Sequence, residues 1–331
     1  MATQAPPRQD APGGRPDTAE AQPSVQAAGQ EETARRPPRP IHHLTYIWVL
    51  GTLSCIAVWL LLYAFAFSGF GESSAQRAAY ATLRSEFAQG IGPVASNIAL
   101  GRPVALLTVP QAGINDVVFE GTTSGVLESG PGLEADTPLP GQMGWSVIFG
   151  RQSLFGGPFR HLAVLSRGDL LQVITGQGTF TYRVIDVRYS GDPQPPPLVA
   201  GRSRLTLITA AGAGLGGAWA PRQLLYVDAN LLGRPASAPA IALPAVPASL
   251  LPRHAGTPAT VPASQLPMNG DPSVLISLVL WMQLLLVTVL AVVWVRARWS
   301  GWQTWLVAAP ALLAVTWILS EVAFQLLPNL L

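Results

Sequence analysis

The chain has 331 residues, of which 49% are hydrophobic and only 11% charged, and its formal net charge is +2. An average soluble domain has about 25% charged residues, so this composition favours a membrane protein. The near-neutral charge and the lack of a basic stripe interleaved with aromatic residues argue against nucleic-acid binding. Cys55 is the single cysteine, which excludes an intrachain disulfide and a cysteine-ligated metal cluster. No cofactor or metal is predicted.

The first part of the chain predicts a tail followed by a membrane anchor. Residues 1–43 are rich in Pro, Ala, Gln, Glu and Arg without apolar periodicity, which predicts a disordered cytoplasmic tail. Residues 44–67 are uncharged and exceed the roughly 20 residues that cross a bilayer. A signal peptide has a shorter apolar region of about 7–15 residues near the start of the chain, so an uncleaved transmembrane helix is favoured. Residues 70–98 predict a helical stalk.

Two further apolar runs, at 273–295 and 302–325, predict a pair of transmembrane helices. The short connector between them carries Arg296 and Arg298, and short Arg-bearing loops stay in the cytoplasm. The basic stretch 34–43 places the N-terminus on the same side. The sequence therefore predicts a multi-pass plasma-membrane protein with three spans and an extracellular region between the first and second.

That region divides into a β-rich part and a linker. Residues 233–272 are Pro/Ala-rich and predict an extended linker. Residues 99–232 contain short apolar runs separated by Gly and Pro, which at this spacing predict an antiparallel barrel or sandwich. About 130 residues suffice for one hydrophobic core. The predicted strands are 103–109, 116–120, 145–150, 170–175, 179–189, 204–209 and 223–229.

Five motifs follow one another in this region. They are LLTVPQAGINDVVFEGTTSGVLESGPG (106–132), TPLPGQMGWSVIFGRQSLFGGPFRHLAVLSRGDLLQV (137–173), FTYRVIDV (180–187), LTLITA (205–210) and APRQLLYVDANL (220–231). In this order they resemble the sortases, the cell-envelope transpeptidases of Gram-positive bacteria, and most closely the actinobacterial class E type. The resemblance implies a mainly β fold: an extracellular eight-stranded β-barrel flanked by one N-terminal and two C-terminal transmembrane helices.

The resemblance also implies a catalytic trio. In sortases a Cys thiol attacks the substrate carbonyl, a His handles the proton and an Arg stabilises the developing oxyanion. In this chain the His position holds Arg151 and the Cys position holds Ala210, while Arg222 stands at the Arg position. Arginine stays charged and cannot shuttle protons. A catalytically degenerate member of the family is therefore predicted, in which no catalytic site is expected to be intact and the Arg position alone is retained.

Other residues offer weak substitutes for the missing groups. Cys55 falls inside the first span, where a small apolar role is expected. His161 is predicted to be a surface or packing residue, and Ser153 has no adjacent His to activate it. Thr209 is predicted to face away from Ala210, because side chains alternate along a strand.

The two arginines are the predicted binding residues. Arg151 and Arg222 together would form a doubly positive cleft for a carboxylate, a phosphate or an acidic partner peptide. The alternative is that Arg151 pairs with an acid of its own domain, such as Asp169 or Asp186.

The predicted function is that of a membrane-anchored sortase-fold pseudoenzyme. It would bind or scaffold envelope proteins, an active sortase or sorting-signal peptides. One alternative is an active transpeptidase or hydrolase that uses other residues. Another is a subunit of an envelope or secretion complex that acts through its membrane helices. The sequence assigns no role to the Gly/Ala-rich stretch 211–218.

Overall fold

The structure is a computed structural model of the chain. It describes residues 50, 54, 57–63, 67–93, 98–212, 221, 223–237, 247–250, 274–298, 301–326 and 330. The predicted tail 1–43 and Cys55 lie outside the described residues, as do much of the span 44–67, Arg222 and most of the linker 233–272.

Eight strands close into a barrel, which confirms the predicted mainly β, eight-stranded barrel. Around the barrel they run in the order β1–β2–β3–β4–β7–β8–β6–β5. The contacts of β2 with β3 and of β4 with β7 are parallel, so the barrel is mixed and not purely antiparallel as the spacing suggested. The strands are β1 Pro103–Val109, β2 Ile114–Glu120, β3 Gly132–Leu133, β4 Gly144–Phe149, β5 Leu170–Thr175, β6 Gly178–Tyr189, β7 Ser203–Ala211 and β8 Gln223–Leu232.

Strand alternation separates two apolar clusters. Leu205 and Leu207 of β7 point into the barrel core, whereas Ile208 and Ala210 belong to a second cluster on the other face of the strand. β4 shows the same division, because Ile148 lies in the core and its neighbours do not. We call this second group the β4–β7 cluster; it consists of Leu127, Trp145, Val147, Phe149, Ile208, Ala210, Tyr226, Leu250 and Leu330.

A helix packs against the barrel where a stalk was predicted. Helix α1 spans Ser68–Ala88, so it ends ten residues before the predicted boundary at residue 98. Its buried Leu83 packs in a cluster with Val117 and Phe119 of β2. The helix therefore belongs to the globular part of the molecule, since it buries an apolar face there. A short helix, α2 (Ser124–Leu127), follows β2.

Two long helices follow the barrel, α3 (Val274–Arg298) and α4 (Gly301–Phe324). Within them Val274–Val292 and Leu306–Phe324 are long and apolar enough to cross a bilayer. These two helices coincide with the second and third predicted spans, and they suggest membrane anchoring by length and composition.

Candidate functional site

The parallel pairing of β4 with β7 builds the region that the sequence singled out. The register ends with Phe149 opposite Ile208. One step further, the N–H of Gly150 donates to the carbonyl of Ile208 at 3.0 Å. The Thr209 hydroxyl then donates to the Gly150 carbonyl at 2.8 Å. The two chains therefore remain side by side past the end of β4.

Ala210 and Arg151 lie just beyond this pairing. Ala210 is two residues after Ile208 on β7 and shares its cluster, whereas Arg151 is two residues after Phe149, past the end of β4. The hydroxyl of Thr209 is turned to the carbonyl of Gly150, the residue after β4. The two positions that the resemblance assigns to Cys and His thus follow the paired ends of neighbouring strands, where they hold a methyl group and a guanidinium.

Arg151 has no exposed surface. Its Nη2 donates to the Ser124 hydroxyl at 2.9 Å, and its Nε donates to the Leu127 carbonyl at 3.2 Å. The Cζ atom lies 4.7 Å from the ring centroid of Phe155, in a cation–π contact. Within the described part of the chain, Nη1 has no hydrogen-bond partner. Arg151 therefore ties helix α2 to the end of β4 instead of facing a cleft.

The acidic side chain that interacts electrostatically with Arg151 is Glu128. Burial raises the pKa of Glu128 to about 7, and the Arg151 cation works against that rise. Burial likewise lowers the pKa of Arg151 to about 10, and the Glu128 charge opposes that decrease. Glu128 Oε2 accepts a hydrogen bond from Gln325 Nε2 at 3.1 Å, just beyond the end of α4.

The predicted pairing of Arg151 with Asp169 or Asp186 is wrong. Asp186 forms an exposed ion pair with Arg167 at 2.9 Å. Asp169 accepts a hydrogen bond from the N–H of Ser166 at 2.8 Å. The groups that face Arg151 belong instead to α2 and to Glu128, the residue after it. Local sequence could not reveal this pairing.

A cleft of about 410 Å³ opens beside Ala210, at the end of β7 and the start of β8. The exposed Arg160 lines it, and its guanidinium donates to the Gly156 carbonyl at 2.5 Å. His161 is exposed, as predicted. Among the described residues that line this cleft, Arg160 is the cation, and the sequence motifs did not identify it as a binding residue. The lining residues are Gln152, Phe159, Arg160, Ala163, Tyr189, Thr209, Ala210, Ala211, Gly212, Gln223 and Leu225.

A segment of the predicted linker is docked on the barrel. The 3-10 helix Ala248–Leu250, which we call the strap, buries Leu250 in the β4–β7 cluster. Glu134, which follows β3, accepts hydrogen bonds from the N–H of Ser249 at 3.0 Å and from its hydroxyl at 2.7 Å. Gln194 Nε2 donates to the Leu250 carbonyl at 2.6 Å. The compositional prediction of an extended linker gave no sign of this contact.

Leu330 belongs to the same apolar cluster as Ala210. Its side chain is fully buried in the β4–β7 cluster, and its carbonyl accepts a hydrogen bond from the N–H of Gln152 at 3.2 Å. The strap and Leu330 thus add two leucines to the apolar surface that contains Ala210. No group of three His, Cys, Asp or Glu side chains in the described ranges could hold a metal ion.

Comparison with known proteins agrees with this architecture. The family model of the sortase domain matches residues 107–213. Sortase D of Bacillus subtilis (strain 168) is 28% identical over 88 residues, which make up 27% of this chain and 43% of that protein. The match therefore spans less than half the length of that relative.

Solved sortase structures are also similar. A Sortase D5 transpeptidase of Clostridium perfringens is 21% identical, with a TM-score of 0.40 and coverage of 48% of this chain and 99% of that one. Sortase E from Streptomyces avermitilis is 28% identical, with a TM-score of 0.35 and coverage of 41% and 91%. The family match, and not these structures, assigns residues 107–213 of the chain to a sortase domain.

Proposed function

We propose that this protein is a non-catalytic member of the sortase family, which binds peptide segments of envelope proteins and does not cleave or join them. The observation that carries the proposal is the environment of Ala210. At the position where the resemblance expects a thiolate, a methyl group is 1% exposed and packed among apolar side chains.

The neighbouring residues offer no replacement for the chemistry. Arg151 stands where the resemblance expects the His, and an arginine cannot exchange protons during turnover. The Thr209 hydroxyl donates its hydrogen to a backbone carbonyl and has no imidazole beside it in the described part of the structure. His161 is exposed outside the set of residues that line the cleft. Binding is what the remaining architecture supports.

The long apolar helices α3 and α4 support a membrane-anchored domain. The Arg-bearing connector between them supports a cytoplasmic loop and hence a barrel on the outer side of the membrane. The partners that fit this placement are segments of envelope proteins, sorting-signal peptides or an active sortase. Arg160, which lines the cleft, supplies positive charge for an acidic or carboxylate-bearing ligand, and Arg222, the second predicted binding arginine, directly precedes the cleft residue Gln223 in sequence.

A second candidate is a subunit of an envelope complex that transmits binding on the barrel to the membrane helices. The hydrogen bond between Glu128 and Gln325 favours it, because it joins the residue after α2 to the end of α4. The hydrogen bond from the N–H of Gln152 to the Leu330 carbonyl adds a second link between the sortase domain and the residues after α4.

The test uses the full chain in lipid nanodiscs, incubated with a library of sorting-signal peptides and with solubilised envelope proteins. Captured peptides are analysed by mass spectrometry for cleavage and joining. We expect capture without any change in the peptides, weakened by Arg160→Ala and by Arg222→Ala. Arg167→Ala is the matched control, because it removes an exposed arginine whose partner is Asp186.

Cleavage or joining of a peptide would establish an enzyme that uses other residues. A failure to capture peptides, together with co-purification of membrane proteins that depends on residues 274–326, would favour the membrane-helix role.

A further inference from the structure

We propose that the surface over β4 and β7 is a peptide-binding site whose resident ligand is the protein's own strap, Ala248–Leu250. A partner segment in which Ser or Thr precedes an aliphatic residue would bind there by displacing the strap. This inference rests on the proposed binding function and specifies the peptide class and the competitor.

The polar half of the site is the Glu134 carboxylate, which binds Ser249 of the strap. Glu134 is only 2% exposed, and each of its oxygens accepts one hydrogen bond from Ser249. One bond comes from the backbone N–H and the other from the side-chain hydroxyl, so the site distinguishes a hydroxyl residue from an alanine. Leaving a buried acceptor without its donor weakens binding by roughly ten- to a hundredfold.

The apolar half of the site holds the next residue. Leu250 is 4% exposed and packs in the cluster that contains Phe149 and Ala210. The Leu250 carbonyl is fixed by Gln194 Nε2 at 2.6 Å. Two consecutive residues are therefore recognised through an N–H, a hydroxyl, an aliphatic side chain and a carbonyl. Three of these four groups are recognised through hydrogen bonds to protein side chains.

The tether makes the strap a competitor for partner peptides. The strap lies between the end of β8 at Leu232 and the start of α3 at Val274, within a Pro/Ala-rich stretch. A segment tethered to the domain that it binds has an effective concentration on the order of millimolar. A peptide in trans must exceed this local concentration, so partner binding is weak until the strap is released.

The experiment measures binding of a fluorescent peptide with the sequence of residues 247–252 (Pro-Ala-Ser-Leu-Leu-Pro) to the full chain in detergent micelles. A released variant, Ser249→Ala with Leu250→Ala, changes the strap and leaves the barrel intact. We expect this variant to bind the peptide about tenfold or more tightly than the wild type does, because the tethered competitor is weakened.

Variants of the barrel test the carboxylate. In the released background Glu134→Ala is expected to abolish most of the binding. Glu134→Gln should restore much of it, since an amide offers one oxygen to the N–H and one N–H to the serine hydroxyl. Ser237→Ala is the control within the same linker. The carbonyl of Ser237 accepts a hydrogen bond from Gln177, and the substitution leaves that carbonyl in place. It should leave peptide binding at the wild-type level.

Hydrogen exchange of the Ser249 amide reports strap docking independently of any partner. We expect the Ser249 amide to be protected from exchange in the wild type and to lose that protection in Glu134→Ala. Equal peptide binding by the wild type and the released variant, or no binding by a released variant whose β7 amides remain protected, would overturn the inference. The proposed function would survive that result if envelope peptides were still captured at a site other than the strap site. Conversely, strap-peptide binding without capture of any envelope peptide would leave this inference intact and refute the proposed function.

Discussion

Glu134 and Ser249, 115 residues apart in sequence, are joined by two hydrogen bonds of 3.0 and 2.7 Å. Burial raises the pKa of Glu134 to about 7, and the two bonds from Ser249 oppose that rise. A neutral carboxyl group still offers an acceptor oxygen and an O–H donor, and a serine hydroxyl can accept. The contact can therefore be satisfied in either protonation state, so a change of pH alone is not expected to release the strap.

The buried ion pair between Arg188 and Asp228 should be sensitive to the loss of one charge. Arg188 Nε donates to Asp228 Oδ2 at 2.7 Å, and Thr206 donates to Oδ1 at 2.5 Å. Asp228→Asn leaves a buried guanidinium without its counter-charge, which costs about 3–5 kcal/mol. We expect a loss of this size in the free energy of unfolding, measured by urea titration of the full chain in detergent micelles.

Asp186→Asn provides the comparison for that measurement. It makes the same chemical change at the ion pair with Arg167, whose side chain is 73% exposed. Exposed pairs contribute about 0–1 kcal/mol, so this variant should unfold almost as the wild type does. Similar losses in the two variants would contradict the assignment of the buried pair as the stabilising one.

Gln76 should decide whether helix α1 stays docked. Its Nε2 donates to the carbonyls of Val117 and Ser129, and its Oε1 accepts from the N–H of Val117 at 2.7 Å. Gln76→Ala removes all three bonds, and a single buried group left unsatisfied costs about 1–3 kcal/mol. We expect faster hydrogen exchange across α1 and a lower Tm. Thr82→Ala, in which the lost hydroxyl bonded only the Ala78 carbonyl of the same helix, should change neither.

The stability of the barrel should fall as the pH rises. Burial, reinforced by the charge of Asp136, raises the pKa of Glu120 from its ordinary value of 4.5 to about 8. Between these values the folded protein binds more protons than the unfolded chain, so stability present at pH 4.5 is lost as the pH approaches 8. Thermal unfolding at pH 5.5 and pH 8.5 should give the higher Tm at pH 5.5. Glu120→Gln should reduce that difference, whereas an unchanged difference would assign the effect to other groups.

Restoring a thiol should not restore transpeptidation. With Cys55→Ala as background, Ala210→Cys places a sulfur in a position that is 1% exposed and lies beside a residue that cannot shuttle protons. We expect slow alkylation by iodoacetamide and no thioester with a sorting-signal peptide, both measured by mass spectrometry. Ala163→Cys, on the exposed rim of the cleft, should react faster. Rapid acylation of the introduced Cys at position 210 would show that the site retains its activating environment.

Much of the barrel could be predicted because strand patterns are local. The predicted bounds of β1 and β5 agree with the structure, since each is a run of apolar and β-branched residues. β3 was missed because it consists of Gly132 and Leu133, too few residues to show alternation. The parallel pairing of β4 with β7 was missed as well, because neither strand carries a local mark of its partner's direction.

The sequence by itself determined which side chains stand at two motif positions. Ala210 and Arg151 stand where the resemblance expects a thiol and an imidazole, and folding cannot change the side chain that a position carries. Tertiary structure alone decided what these residues do instead. Arg151 binds α2, and Ala210 shares a buried cluster with Leu250 and Leu330. Those contacts join residues that are distant in the chain, and they form because burying apolar surface and pairing buried polar groups depend on the whole fold.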